Sequence, residues 1–205
     1  MKIICIGRNY RDHAREMQAP DPTEPVIFLK PETALIRPEQ DFWYPLFSQD
    51  IHFECELYFR IGRPGKYINR KFAWKHIDGY GLGIDFTARD LQSKLKKEGL
   101  PWEISKAFNG SAAASQTIEQ AENQSLDVSS LHYEFFVNGV SRQKGKPEDM
   151  IFGIEELVEY ASQFFTLQKG DLIFTGTPAG VGPVKIGDRL EAQLQGKTIL
   201  SLEVH

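Results

Sequence analysis

The chain has 205 residues, enough for one large domain or two small ones and for a substantial core. Its residues are 41% hydrophobic and 25% charged, the proportions of a globular protein, which excludes a disordered chain. With 24 Lys and Arg against 28 Asp and Glu, the net charge of −4 excludes a general nucleic-acid binder, which needs a basic surface.

The first run, KIICI at 2–6, is short, β-branched and closed by Gly7, so it predicts a strand. It is too short for a signal peptide or a membrane span, and a cytoplasmic location is expected. A short helix is predicted over Tyr10 to Met17, stopped by Pro20 and Pro22. PVIFL at 25–29 is apolar and extended. From His52 to Phe59 the chain alternates, with His52, Glu54, Glu56 and Tyr58 on one side, the pattern of a strand with one buried face. GYGLGID at 79–85 is a further strand, whose glycines imply a close approach of backbone or ligand. Thr87 opens a Thr-x-x-Asp pattern, predicting a helix that it caps and that runs to about Glu98, with Gly99 as its stop. Tyr133–Val137 followed by Asn138-Gly139 predicts a hairpin. An amphipathic helix is predicted over 154–164, and short strands punctuated by Gly-Asp pairs over the last forty residues. Cys5 and Cys55, both in apolar runs, are expected to be buried free thiols. The sum is a mainly antiparallel β fold with a few helices.

Glu54 and Glu56 stand two apart on a strand, so their like charges point to one side and repel. A solvated face tolerates this, and a bound cation removes it. Asp85, ending a strand that reads as buried, is a third oxygen donor where an acid is otherwise costly. Three carboxylates without a His or Cys pair suit a hard ion such as Mg²⁺ or Mn²⁺. Arg89 and Gln92 share a helix face at i and i+3 beside Asp85, and Arg89 in a first turn opposes the helix dipole unless an anion lies near. Lys106 follows in ISKAF. His13 and Glu16, also i and i+3, let a carboxylate orient an imidazole on a short segment that would suit a lid. TGTPAGVGP at 175–183 suits either a turn or a backbone-lined anion site with Thr177 donating its hydroxyl.

CIGRNYRDHAREM, FLKP at 28–31, the Glu-x-Glu at 54–56, GIDFTARDLQ at 83–92, GLPWEISKAF at 99–108 and GDLIFTGTPAGVGPVKIGD at 170–188 together resemble the fumarylacetoacetate hydrolase family. Within it, they look closest to the acylpyruvase and oxaloacetate decarboxylase branch. The resemblance implies an α+β, mainly β fold: a mixed β-sandwich roll with a few short helices, one catalytic domain over 1–205, and a homodimer. It implies Mg²⁺, with Mn²⁺ as a substitute, on Glu54, Glu56 and Asp85. It also implies substrate contacts at Arg89, Gln92 and Thr177, and catalytic roles for His13, Glu16 and Lys106. The implied activity is cleavage of a carbon–carbon bond in a small 2-oxo acid, by acylpyruvate hydrolysis or oxaloacetate decarboxylation through a pyruvate enolate. An isomerase, hydratase or keto–enol tautomerase acting on dicarboxylates of aromatic catabolism is the alternative. A metal-binding scaffold is the non-enzymatic one. Phe53 departs from the many relatives that carry histidine before the Glu-x-Glu. No nucleic-acid or membrane partner is expected.

Overall fold

A computed structural model of the protein describes residues 1–17, 20–37, 40–120 and 126–205. In chain order the strands and helices are β1 (Lys2–Gly7), α1 (Arg11–Glu16), β2 (Val26–Pro31), β3 (Ile51–Phe53), β4 (Cys55–Ile61), β5 (Ile77–Asp85), β6 (Thr87–Ala88), α2 (Arg89–Glu98), α3 (Glu103–Lys106), β7 (Ala112–Ala114), β8 (Ile118–Glu119), β9 (Tyr133–Val137), β10 (Val140–Gly145), α4 (Ile154–Phe164), β11 (Leu172–Phe174), β12 (Gly182–Pro183), β13 (Arg189–Leu194) and β14 (Lys197–Glu203). The fold is mainly β with a few short helices, as expected, and no helix among the described residues is long and apolar enough to cross a membrane.

The strands form three sheets. The largest runs β2-β1-β11-β4-β5-β7, with β8 also pairing β5. A second runs β10-β9-β13-β14, and a third, β12-β3-β6. Pairings are antiparallel except β1 with β11, where Ile3, Ile4 and Cys5 lie beside Leu172, Ile173 and Phe174 in parallel. The predicted hairpin forms between β9 and β10, and both turn residues adopt the positive φ that such a two-residue turn demands, 53° at Asn138 and 75° at Gly139. Helix α4 covers the predicted span and buries Ile154, Leu157, Val158 and Ala161 on one stripe.

Two local expectations are corrected. The segment from His52 to Phe59 does not keep a solvated face. Strand β4 lies inside the large sheet between β11 and β5, so Cys55, Leu57 and Phe59 face the main core. On its other side, Tyr58 packs into a second cluster with Ile3, Cys5, Leu172 and Phe174. Phe53 is buried too, with its ring centroid 4.8 Å from that of Phe135, which an imidazole would not match as well. Thr87 is not a helix cap: it belongs to β6, opposite His52, and α2 starts at Arg89 after Ala88 with no side-chain cap. Asp90 does lie in the first turn, where it accepts from the Ser48 hydroxyl at 2.7 Å and the Gln49 N–H at 3.0 Å. Gly99, at φ 68°, ends the helix as predicted. Cys5 and Cys55 are free and buried, and burial first of all pushes both thiols up, leaving them protonated and inert.

Asn9, fully buried just after β1, ties three segments together. Its amide nitrogen donates to Phe152 O at 3.0 Å and Thr175 O at 2.8 Å, and its oxygen accepts from Phe152 N at 2.8 Å. Replacing Asn9 by Ala orphans those buried groups, at about 1–3 kcal/mol for each one left unsatisfied. Urea unfolding is expected to show a lower midpoint for Asn9→Ala with an unchanged slope.

Candidate metal and active site

Glu54 sits at the break between β3 and β4, Glu56 within β4, and Asp85 at the end of β5, and these strands are neighbours. All three carboxylates are buried, at 6%, 2% and 0% exposure, and one oxygen from each lies within 4.8 Å of the other two. Three acids inside a sheet persist only with counter-charges, and the surrounding elements supply them. Lys106, at the end of α3, donates to Glu54 Oε2 at 2.8 Å, Asp85 Oδ2 at 2.7 Å and Thr87 Oγ1 at 2.6 Å. This bond is what occupies the Thr87 hydroxyl. Arg89 Nη2 donates to Glu54 Oε1 at 2.6 Å, and Arg89 Nη1 to Gln92 Oε1 at 2.6 Å. Burial opposes the Lys106 charge, but Asp85 and Glu54 overcome it and raise its pKa above the ordinary lysine value. Burial likewise opposes the Glu54 charge, and Lys106, Arg89 and His13 together hold it well below the usual carboxylate range.

Glu56 differs from its neighbours. Its carboxylate accepts from Gly176 N at 2.7 Å, and it has no ion-pair partner among the described residues. Burial first, then Asp85 and Glu54, push its pKa well above the carboxylate range. Asp85 Oδ1 has no hydrogen-bond partner among the described residues and meets Lys30 Nζ, 2.7 Å away, as an ion pair. A buried all-oxygen cluster in which Glu56 has no cation of its own among the described residues fits a hard divalent cation such as Mg²⁺ or Mn²⁺, held by Glu54, Glu56 and Asp85.

Beside the cluster opens a cavity of about 290 Å³ whose lining includes Arg8, His13, Glu54, Arg89, Gln92 and Lys106. It therefore brings together five of the residues singled out from sequence. Glu16 completes the dyad, with its Oε2 3.1 Å from His13 Nδ1. Helix α1 is docked, burying His13 and Ala14, and is anchored at its base by the Tyr10–Met150 bridge. A larger cavity, about 860 Å³, is lined mostly by apolar side chains such as Leu29, Phe47, Leu91, Ile104 and Phe108. It contains neither the carboxylate trio nor His13, so the chemistry belongs to the smaller one.

Thr177 is placed differently from the expectation. Its hydroxyl donates to Cys55 O at 2.8 Å and accepts from Gln143 Nε2 at 2.7 Å, so its proton is already committed to the chain. The loop at 175–183 does bind anions through its backbone, but they are the chain's own. Gly176 N holds Glu56, and Gly180 N donates to both carboxylate oxygens of Glu16, at 3.1 and 3.3 Å. Gly176 has φ 94°, and a Cβ there would stand 2.8 Å from Asn9 Cβ, so only glycine serves.

Sequence reasoning missed Lys30, which is fully buried in β2. Its ammonium donates to the carbonyls of Lys106 and Ser111, the latter at 2.9 Å, and to the Ser111 hydroxyl at 3.0 Å. It thereby fixes the backbone that carries Lys106 while facing Asp85. The available signal was a lysine inside the apolar run VIFLKP, where a charge needs a partner.

Residues 2–205 match the fumarylacetoacetate hydrolase C-terminal family, and the chain belongs to that family of enzymes. It is 42% identical over 198 residues to the oxaloacetate tautomerase YcgM of Escherichia coli, covering 97% of this chain and 90% of that protein. It is 40% identical over 202 residues to the human mitochondrial oxaloacetate tautomerase FAHD1, covering 98% and 90%. Among solved structures, the fumarylpyruvate hydrolase of Pseudomonas aeruginosa, in complex with Mn²⁺ and pyruvate, superposes with a TM-score of 0.92 at 37% identity, covering 100% of this chain and 89% of that one.

Two outcomes are expected of the cluster. Metal binding is expected to draw a proton from the cluster, because burial, Asp85 and Glu54 push Glu56 upward when no cation is present. Mg²⁺ titrations in buffers of different ionisation enthalpy should show proton release, and affinity should fall as pH falls; affinity independent of pH refutes the assignment. Lys30→Met removes one partner of a buried pair, a change of about 3–5 kcal/mol. Thermal melts should show a loss that saturating Mg²⁺ recovers more fully than any gain it produces in wild type.

Proposed function

We propose that the chain is a divalent-metal-dependent enzyme that stabilises the enolate of a small 2-oxo acid, acting as one catalytic domain over 1–205 in a homodimer. The observation that carries this reading is the buried Lys106 ammonium, bonded to Glu54 and Asp85 on the wall of the cavity that also holds His13. A divalent cation, Mg²⁺ or Mn²⁺, on Glu54, Glu56 and Asp85 would supply Lewis acidity toward the substrate's C1 carboxylate and C2 keto oxygen. Arg89 and Gln92 hold the carboxylate. Thr177 supports the site from behind, through Cys55 and Gln143. Lys106 adds fixed positive charge where the C2 oxygen becomes negative. His13, oriented by Glu16, moves the proton.

Three reactions can share this machinery. In keto–enol exchange of oxaloacetate, His13 takes a proton from C3 and one is delivered to the C2 oxygen; no bond between carbons breaks. The names of the Escherichia coli and human relatives support this as the first reading. In acylpyruvate hydrolysis, His13 takes a proton from a water that adds to C4. The C3–C4 bond then breaks, its electron pair forms the pyruvate enolate, and C3 is reprotonated. The His13–Glu16 hydrogen bond at the cavity and the Pseudomonas aeruginosa neighbour favour this second reading. Decarboxylation of oxaloacetate needs no water, since C4 leaves as CO₂.

The test is a substrate panel of oxaloacetate, acetylpyruvate and fumarylpyruvate with Mg²⁺ and with EDTA. Lys106→Ala should lower kcat about a hundredfold on every substrate turned over. His13→Ala should cost hydrolysis a factor of about 10²–10⁴ and spare decarboxylation. Turnover that survives EDTA, or Mg²⁺ affinity unchanged in Glu54→Ala, Glu56→Ala and Asp85→Ala alike, overturns the proposal.

A further inference from the structure

We propose that Arg8 reads the second carboxylate of a 2-oxo dicarboxylate and so sets this enzyme's preference for dianionic over monoanionic substrates; the inference rests on the 2-oxo acid reading above.

The argument begins in the backbone. Arg8 has φ 59°, in the left-handed region that favours glycine or asparagine, although Gly7 precedes it and Asn9 follows. A long cation held in that conformation is a local conflict of the kind that concentrates at functional sites. Its side chain continues the conflict. Arg8 lines the cavity beside His13 and Trp102, and its Nε is buried without a hydrogen-bond partner. No carboxylate among the described residues pairs with it. A guanidinium whose N–H is removed from water and left unbonded is stabilised when an anion arrives.

The other cations of the cavity are differently engaged. Arg89 is bonded to Glu54 and Gln92, and Lys106 to Glu54 and Asp85. Lys96, on the rim, sits over the Trp102 ring at 5.2 Å with no carboxylate partner among the described residues. The charges can be counted. Glu54, Glu56 and Asp85 are matched in number by Lys30, Lys106 and Arg89, so a bound divalent cation together with Arg8 and Lys96 leaves the cavity strongly positive. A 2-oxo monocarboxylate offsets little of this, whereas a dicarboxylate offsets more and gives Arg8 its missing acceptor. Phe28 and Trp102, with ring centroids 6.3 Å apart in the same lining, offer apolar surface to the carbon chain.

The experiment is calorimetry on the Mg²⁺-loaded protein with two stable probes, pyruvate and 2-oxoglutarate, which differ by the second carboxylate. Wild type should bind 2-oxoglutarate more tightly. Arg8→Gln should reduce that affinity about tenfold more than it reduces the affinity for pyruvate, the share of one charge-assisted hydrogen bond. Arg8→Gly guards against a trivial loss of folding, because glycine suits φ 59°: its melting temperature should match or exceed wild type while the preference disappears. A lower melting temperature in Arg8→Gly with both probes weakened equally makes Arg8 structural and overturns the inference. Equal affinity of wild type for the two probes overturns it alone. Failure of wild type to bind either probe overturns the 2-oxo acid reading and this inference with it.

Discussion

The structure turns on three carboxylates buried in a β-sheet. Glu54, Glu56 and Asp85 are side by side because β4 and β5 are, and no arrangement of strands could carry them there without matching positive charge. The cations come from three other places: Lys30 from β2, Arg89 from the first turn of α2, and Lys106 from the one-turn α3. The placing of those elements around the carboxylates is therefore an electrostatic necessity as much as a matter of packing. The helix that begins at Arg89 tolerates a cation in its first turn because Glu54 supplies the anion.

The glycine-rich loop after β11 solves the complementary problem. Main-chain N–H groups carry no charge to disturb a metal, yet they can aim carboxylates. Through Gly176 the loop orients Glu56, and through Gly180 it orients Glu16, so one segment sets both the cluster and the dyad. Gln143 braces the same loop from β10 by accepting from Cys55 N and donating to Thr177 and Pro178. The Gln143 amide, bonded through both its oxygen and its nitrogen, gives the loop a rigidity that a solvated one would lack.

Local signals were legible in the sequence, and non-local ones were not. The Asn138-Gly139 hairpin, the span of α4 and the stop at Gly99 depend on φ preferences and on a period of 3.6 residues, which are written in neighbouring positions. Burial of the second face of β4 depends on Ile3, Leu172 and Phe174, more than fifty residues away in either direction, so alternation alone suggested a wet face. The Thr87 pattern pointed to a cap because local spacing cannot foresee that Lys106 takes the hydroxyl. Lys30 looked like the end of an apolar run, since nothing in the sequence marks its acceptors at Lys106 and Ser111. Of the nine residues named for the site, five line one cavity, Glu56 and Asp85 join Glu54 in the carboxylate trio, and Glu16 bonds His13, whereas the Thr177 hydroxyl is taken by partners distant in sequence.

The parallel pairing of β1 with β11 has a further consequence, for the way the chain becomes a protein. The large sheet reads β2-β1-β11-β4-β5-β7, so a strand made after β1 and β4, and more than a hundred residues beyond β4, is inserted between them. Until residues 172–174 have left the ribosome, β1 and β4 are two open edges facing a gap, and an unfilled strand edge invites pairing with another chain. The acids of β4 and β5 can gather early, but Gly176 and Gly180 follow β11 and reach Glu56 and Glu16 only after the gap has closed. Long-range pairing of this kind folds slowly, and its intermediates are the aggregation-prone ones. Closure of the sheet and completion of the site are thus one event, and a nascent chain has no site to use before it has a sheet to hold it.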